Sequence, residues 1–378
     1  MIIYNAKIYT MNENDDIIEN GYIEYRNGKI ISVQSDSPSV IGDEMIDAEG
    51  SSLYPGFIDA HTHIGLFTSG VGIEGEDFNE DSDPVTPQLS VTDGINPMDC
   101  AFEDARNAGI TAVVVSPGSS NAICGSIIAM KTKGKRIDNM SLGEIGMKIS
   151  FGENPKMTYL DKDASPVTRM AIAALIREAL KKAQRYIEDK ENEDEAPEYD
   201  AKCEALIPLL KGKVKAHFHC HRADDIFTAI RIAKEFNLEY VLIHCTEGHL
   251  IADELKEENA SAVIGPIICD KSKPELANLT PANSGILNSS GIEISICTDH
   301  SEVPIQYLPL SVGIAVKNGL EFYEGLKAIT KTPAKQLGLF DRIGSIEVGK
   351  DADLVMFNTN PFEVFSSPLK VIINGDEV

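Results

Sequence analysis

Two kinds of apolar pattern divide this chain. Near the N-terminus, IIYNAKIYT, GYIEYRN and KIISVQS are short β-rich runs separated by NENDD and by Asn27-Gly28, a hairpin-forming pair. DADLVMFN and LKVIINGDEV repeat the pattern at the other end, with Asn374-Gly375 as the turn. The two ends, residues 1–54 and 341–378, are expected to pair into one small composite β domain, read as a β-sandwich. The middle alternates differently. Strand-like runs fall at LYPGFIDAHTH, GITAVVVSPG, GMKISFG, VKAHFHCH, EYVLIHC, SAVIGPII and GIEISICTDH, and an eighth at AICGSIIAM. Amphipathic stretches such as TRMAIAALIREALKKAQRYI and DDIFTAIRIAKEF carry apolar residues at helical spacing between them.

Strand–helix alternation builds parallel sheets. A chain of 378 residues suits a (β/α)8 TIM-type barrel over 55–340 plus a second module. Alternation alone does not prove closure, since an open doubly wound sheet shows the same pattern. GxGxxG spacing occurs at Gly70–Gly75 and GxxxxGK at Gly344–Lys350, but an acidic run and a strand-like run follow them, where a phosphate-binding turn would open a helix. The acidic stretch EDKENEDEAPEYD, residues 188–200, reads as a solvated break between helices of one barrel connection.

Charge narrows the partners. Lys+Arg 34 against Asp+Glu 59 gives a net −25, which disfavours phosphate backbones and anionic lipid. No nucleic-acid or membrane role is expected, a small-molecule substrate is, and a homo-oligomer is left open. The N-terminus lacks the basic and long apolar regions of a secretory leader. Seven cysteines without CxxC spacing suit reduced thiols and a cytoplasmic setting.

The chemistry lies in the histidines. Six of eight sit at or near the C-terminal ends of strand-like runs: His61, His63, His217, His219, His221 and His244. His300 follows Asp299 at the end of another. In a parallel α/β barrel those ends build the active site. Residues i and i+2 share a strand face about 6.6 Å apart, so His61 and His63 can reach one ion. Imidazole with carboxylate suits zinc, iron or manganese, with zinc the first choice. His217, His219 and His221 share one face, and spacing does not choose among them.

PGFIDAHTH, HFHCHRADDI, LIHC, ICTDH and GSIEVGKDADLVMF together resemble the amidohydrolase superfamily, in the branch related to imidazolonepropionase and prolidase-like peptidases. The resemblance covers essentially the whole chain. It implies a barrel holding one or two divalent metals, with zinc the first choice by its donors, that activate water against an amide-like carbon. On the matching positions, His61 and His63 hold the more buried metal, His219 is the fifth-strand ligand and His244 the sixth. Asp299 is both ligand and proton shuttle. A carboxylated lysine on the fourth strand bridges the metals in many members; Lys148 is the candidate and Glu153 its rival.

His221 is assigned to substrate contact, His217 to a hydrogen-bonded core position, His249 to the surface, and His300 to orienting Asp299 or lining the pocket. Deaminases of the superfamily carry a glutamate three residues after the fifth-strand histidine. Arg222 stands there, which lowers deamination to the runner-up. Its guanidinium suits a substrate carboxylate, or pairs with Asp224 or Asp225. The acidic segment 73–88 reads as a solvated lid, and SPGSSNA as a turn able to touch substrate. A metal-free scaffold relative is the remaining alternative, against the full ligand set.

Overall fold

The computed structural model describes residues 1–38, 45–192 and 197–378. Eight strands surround one central core: β1 (Phe57–Thr62), β2 (Ile110–Val115), β3 (Ile123–Lys131), β4 (Ser141–Ser150), β5 (Lys215–Cys220), β6 (Tyr240–His244), β7 (Ser261–Ile264) and β8 (Glu293–Ile296). Each pairs with the next in chain order. Just beyond β8 the ring nearly closes on β1 through two backbone bonds. Asp299 N–H donates to His61 O at 3.2 Å, and His63 N–H to His300 O at 2.6 Å.

One strand corrects the all-parallel expectation. β3 runs antiparallel to both β2 and β4. The reason lies in the connections. A parallel crossover needs a dozen or more residues, whereas only residues 116–122 separate β2 from β3. The eighth strand foreseen at AICGSIIAM therefore takes the third place in the barrel and reverses there. Lys148 still falls on the fourth strand, in register with His217 on the fifth.

The helices follow the apolar stripes. Among those that frame the site are α1 (Glu153–Leu160), α2 (Arg169–Glu191), α3 (Ala201–Leu210) and α4 (Ala223–Phe236). α2 is capped by Thr168, whose hydroxyl accepts from Ala171 N–H at 3.1 Å. It buries Ile172, Ile176, Leu180 and Ala183 against the barrel. Of the expected break at 188–200, residues 188–191 instead complete the last turn of α2, and 197–200 lead into α3, with residues 193–196 outside the described set.

The chain ends share one sheet. Ile2–Tyr9 pairs with Ile17–Arg26 and with Ser52–Pro55, which in turn pairs with Leu354–Phe357 from the far end. Asn27-Gly28 and Asn374-Gly375 both adopt positive φ, as tight hairpins require. Among the described residues these strands form a single hydrogen-bonded sheet of eight, so the expected two-sheet sandwich is replaced by one sheet. Alternation explains why one sheet suffices. Tyr54, Val355, Phe357 and Val371 join the barrel's core, while Leu53, Leu354, Met356 and Ile372 form a second, smaller core.

A buried ion cluster ties the sheet to the barrel. Lys131, at the end of β3, pairs with Asp351 at 3.0 Å and with Asp353. Lys29 and Arg342 also hold Asp351, at 2.7 Å and 2.9 Å. Removing one member of a buried pair leaves an uncompensated charge, which costs about 3–5 kcal/mol. Lys131→Met is therefore expected to lower the urea midpoint by a corresponding amount. A midpoint equal to wild type would show that water replaces the lysine.

Candidate metal centre

Strand alternation brings the histidines inward at one end of the barrel. His61 is wholly buried on β1, and His63 follows directly after it. His219 lies on β5, His221 one residue past its end, and His244 ends β6. Asp299 leaves β8 with φ +55°, and His244 has φ +71°. Such conformations cost non-glycine residues energy and cluster at functional sites.

Distances show one cluster. Asp299 Oδ1 lies 3.4 Å from both His61 Nε2 and His63 Nε2. Lys148 Nζ is 3.2 Å from His61 Nε2, so the lysine points into the barrel and not out between helices. The rings of His219, His221 and His244 have centroids 4.5–4.8 Å apart. Beneath them Asp59, fully buried, accepts from Thr298 Oγ1 at 2.6 Å and from the backbone N–H of His61 at 3.3 Å.

Burial decides the protonation states. It pushes His61, His219 and His221 well below the ordinary imidazole value and His244 down to about 4. Burial also lowers Lys148, favouring the free amine. For Asp299 burial acts toward protonation, yet the imidazoles of His244, His61 and His63 outweigh it and hold the carboxyl well below the usual range. Near neutrality the cluster thus presents His61, His219, His221 and His244 as neutral imidazoles beside the Asp299 carboxylate.

A divalent cation fits this donor set. Ligand atoms of His61, His244 and Asp299 lie within 4.8 Å of one another, as do those of His219, His221 and His244. His219 Nδ1, His221 Nε2 and Asp299 Oδ1 are buried with no hydrogen-bond partner among the described residues. Buried polar atoms are rarely left so. His63 and His244 direct their Nδ1 at the carbonyls of Ser116 (2.8 Å) and Gly265 (2.7 Å), which leaves Nε2 for an ion.

Beside the cluster opens a cavity of about 470 Å³, lined among others by Phe78, Ser119, Met157, Lys273, Asp299 and Glu302. The acidic segment forms part of this wall through Phe78 and Asn79. Its Asp81 and Asp83 bind Lys162 and Lys202 at 2.7 Å and 2.6 Å. Gly118 of SPGSSNA lets the turn meet that segment closely, donating its N–H to Phe78 O at 2.6 Å. A Cβ there would stand 2.2 Å from Asn79 Oδ1.

Several sequence readings change. Arg222 lies on the surface, bound to Asp224 by two 3.0 Å bonds, and is not among the cavity's lining residues. The guanidinium is satisfied by its neighbour two residues on, so a substrate carboxylate is not left to it. His217 is buried, but neither ring nitrogen finds a partner among the described residues. His300 is likewise buried without a ring partner and makes no bond to Asp299. His249 is half-buried, with Nδ1 3.2 Å from Thr246 O. Glu153 faces Glu275: its Oε2 accepts from Glu275 N–H at 3.3 Å. Sequence reasoning missed Asn154, Lys273 and Glu275. Lys273 Nζ donates to Asn154 Oδ1 at 3.0 Å and pairs with Glu275 at 2.8 Å. No pattern marks them, because GENPK and KSKPEL both read as polar, solvated stretches.

Known proteins share the fold that carries this site. The amidohydrolase from Thermotoga maritima superposes with a TM-score of 0.95 at 39% identity, covering 100% of this chain and 99% of that one. Amidohydrolase tasK of Hapsidospora irregularis is 27% identical over 392 residues, which is 96% of this chain but only 39% of tasK. Imidazolonepropionase of Thermoplasma volcanium is 25% identical over 408 residues, 96% of this chain and 91% of that protein. No helix among the described residues is long and apolar enough to cross a membrane. The sequence profile of the amidohydrolase family matches residues 52–378, and the chain belongs to that family.

Proposed function

We propose that this chain is a metal-dependent hydrolase that cleaves an amide, lactam or peptide-like C–N bond in a small molecule. One observation carries the reading: neutral buried imidazoles and an ionised aspartate meet at unsatisfied donor atoms beside a substrate-sized cavity. His61, His63, His219, His244 and Asp299 would hold one or two cations, with zinc the best match to imidazole and carboxylate. When bound, such cations supply Lewis-acid activation of water and of the scissile carbonyl.

The chain's own groups do the rest. Asp299, ionised and facing the cavity, takes a proton from the attacking water and passes it to the leaving nitrogen. Burial favours the free amine of Lys148, the form that reacts with carbon dioxide, and a carbamate formed there would offer two oxygens to a pair of cations. Walls of Phe78, Met157 and Leu276 limit water around the reacting bond. Hydrolytic deamination gains nothing from Arg222, which is turned away to Asp224.

Elemental analysis of gently purified protein should find about one to two divalent ions per chain. No metal, and no activity after adding zinc, manganese or iron, would refute the reading and favour a scaffold. Turnover is best sought on a panel of dipeptides, N-acyl amino acids, lactams and aminopurines. Asp299→Asn should keep most of the metal and lose ~10²–10⁴ in turnover; near-normal turnover would remove Asp299 as the proton shuttle. Lys148→Ala is expected to cost ~10–100-fold in metal affinity or activity. If activity is intact and mass spectrometry of native protein shows no added carboxyl, Lys148 is not a bridge.

A further inference from the structure

The histidine just past β5 does more than face substrate. We infer that His221 is a third protein ligand, completing with His219 and His244 a three-histidine cation position. The resemblance assigns one histidine from this strand; this chain supplies HFHCH, three at alternate positions. The inference rests on the metal-hydrolase reading above and deepens it.

His221 lines the cavity, yet its residue is only 3% exposed. Its Nδ1 lies 2.7 Å from Thr246 Oγ1, which fixes the ring just as carbonyl oxygens fix His63 and His244. A second ring nitrogen held by a protein oxygen is the usual setting of a metal-binding imidazole. The remaining nitrogen, Nε2, is buried and has no hydrogen-bond partner among the described residues. Glu275 Oε1 lies 3.5 Å from it, pairs with Lys273 at 2.8 Å and, like it, makes no hydrogen bond among the described residues, while Glu275 Oε2 accepts from Glu153 N–H at 3.0 Å.

His221 also stacks on His244, with centroids 4.5 Å apart and planes within 6°. Together with His219 their ligand atoms lie within 4.8 Å of one another. Three histidines with an open fourth place form a complete catalytic zinc set. That position would need no oxygen from Lys148, so a cation held there should survive Lys148→Ala.

The test reads metal directly. Chelator-stripped wild type, His221→Ala, His221→Gln and Thr246→Val are titrated with zinc against a chromophoric competitor, and with cobalt(II) to record its visible spectrum. Circular dichroism checks that each variant is folded. The His221 variants should lose one cation per chain, or bind it at least ~100-fold more weakly, with an altered cobalt spectrum. Thr246→Val, which leaves the imidazole in place, should weaken that cation ~10–100-fold. Should the His221 variants fail to fold, the Thr246→Val titration decides alone. Unchanged cation content and cobalt spectrum, with only KM raised, would return His221 to substrate contact and overturn the inference. Wild type that binds no cation would overturn it together with the reading it rests on.

Discussion

The centre depends on how the first and last strands of the barrel meet. Neither β1 nor β8 reaches far enough to close the ring by strand pairing alone. Closure is made just past them, by Asp299 N–H to His61 O and by His63 N–H to His300 O. Asp59 reinforces the seam from below by holding both the hydroxyl and the N–H of Thr298. These few bonds set side by side residues more than two hundred positions apart, and they bend the chain at Asp299 into its left-handed conformation. A carboxylate on a relaxed extended strand would follow the alternation and point elsewhere.

Burial then gives those residues their chemistry. Water would leave the imidazoles half-protonated near their ordinary pKa, and each proton would compete with a cation. Inside the barrel the charged form is costly, so His61, His219, His221 and His244 stay neutral. Desolvation works against Asp299 in the same way, but its imidazole neighbours keep it ionised. A single environment thus holds base and acid in opposite, complementary states.

Much of this was legible in the sequence. The Asn-Gly hairpins, the stripe of α2 and the inward histidines follow from local rules of turn conformation and periodicity. What escaped was information carried between segments. Periodicity of two marks a strand but not its direction, so the reversal of β3 showed only once the short loop before it was set against a parallel crossover. Arg222 has the same neighbours in sequence whether it binds substrate or Asp224, and only side-chain placement distinguishes them. Glu275 looks solvated in KSKPEL, yet it is 1% exposed because Lys273 and the N–H of Glu153 surround it.

The reversed strand also has a consequence for the order of assembly. Because β3 runs against its neighbours, its last residue, Lys131, emerges at the end of the barrel away from the mouth. There it meets a carboxylate 222 positions later in the chain. Contacts of such sequence separation close large loops and form late in folding. During synthesis, the positive charge of Lys131 must wait until the segment that carries Asp353 has been made. The floor of the barrel is locked only when that later segment arrives.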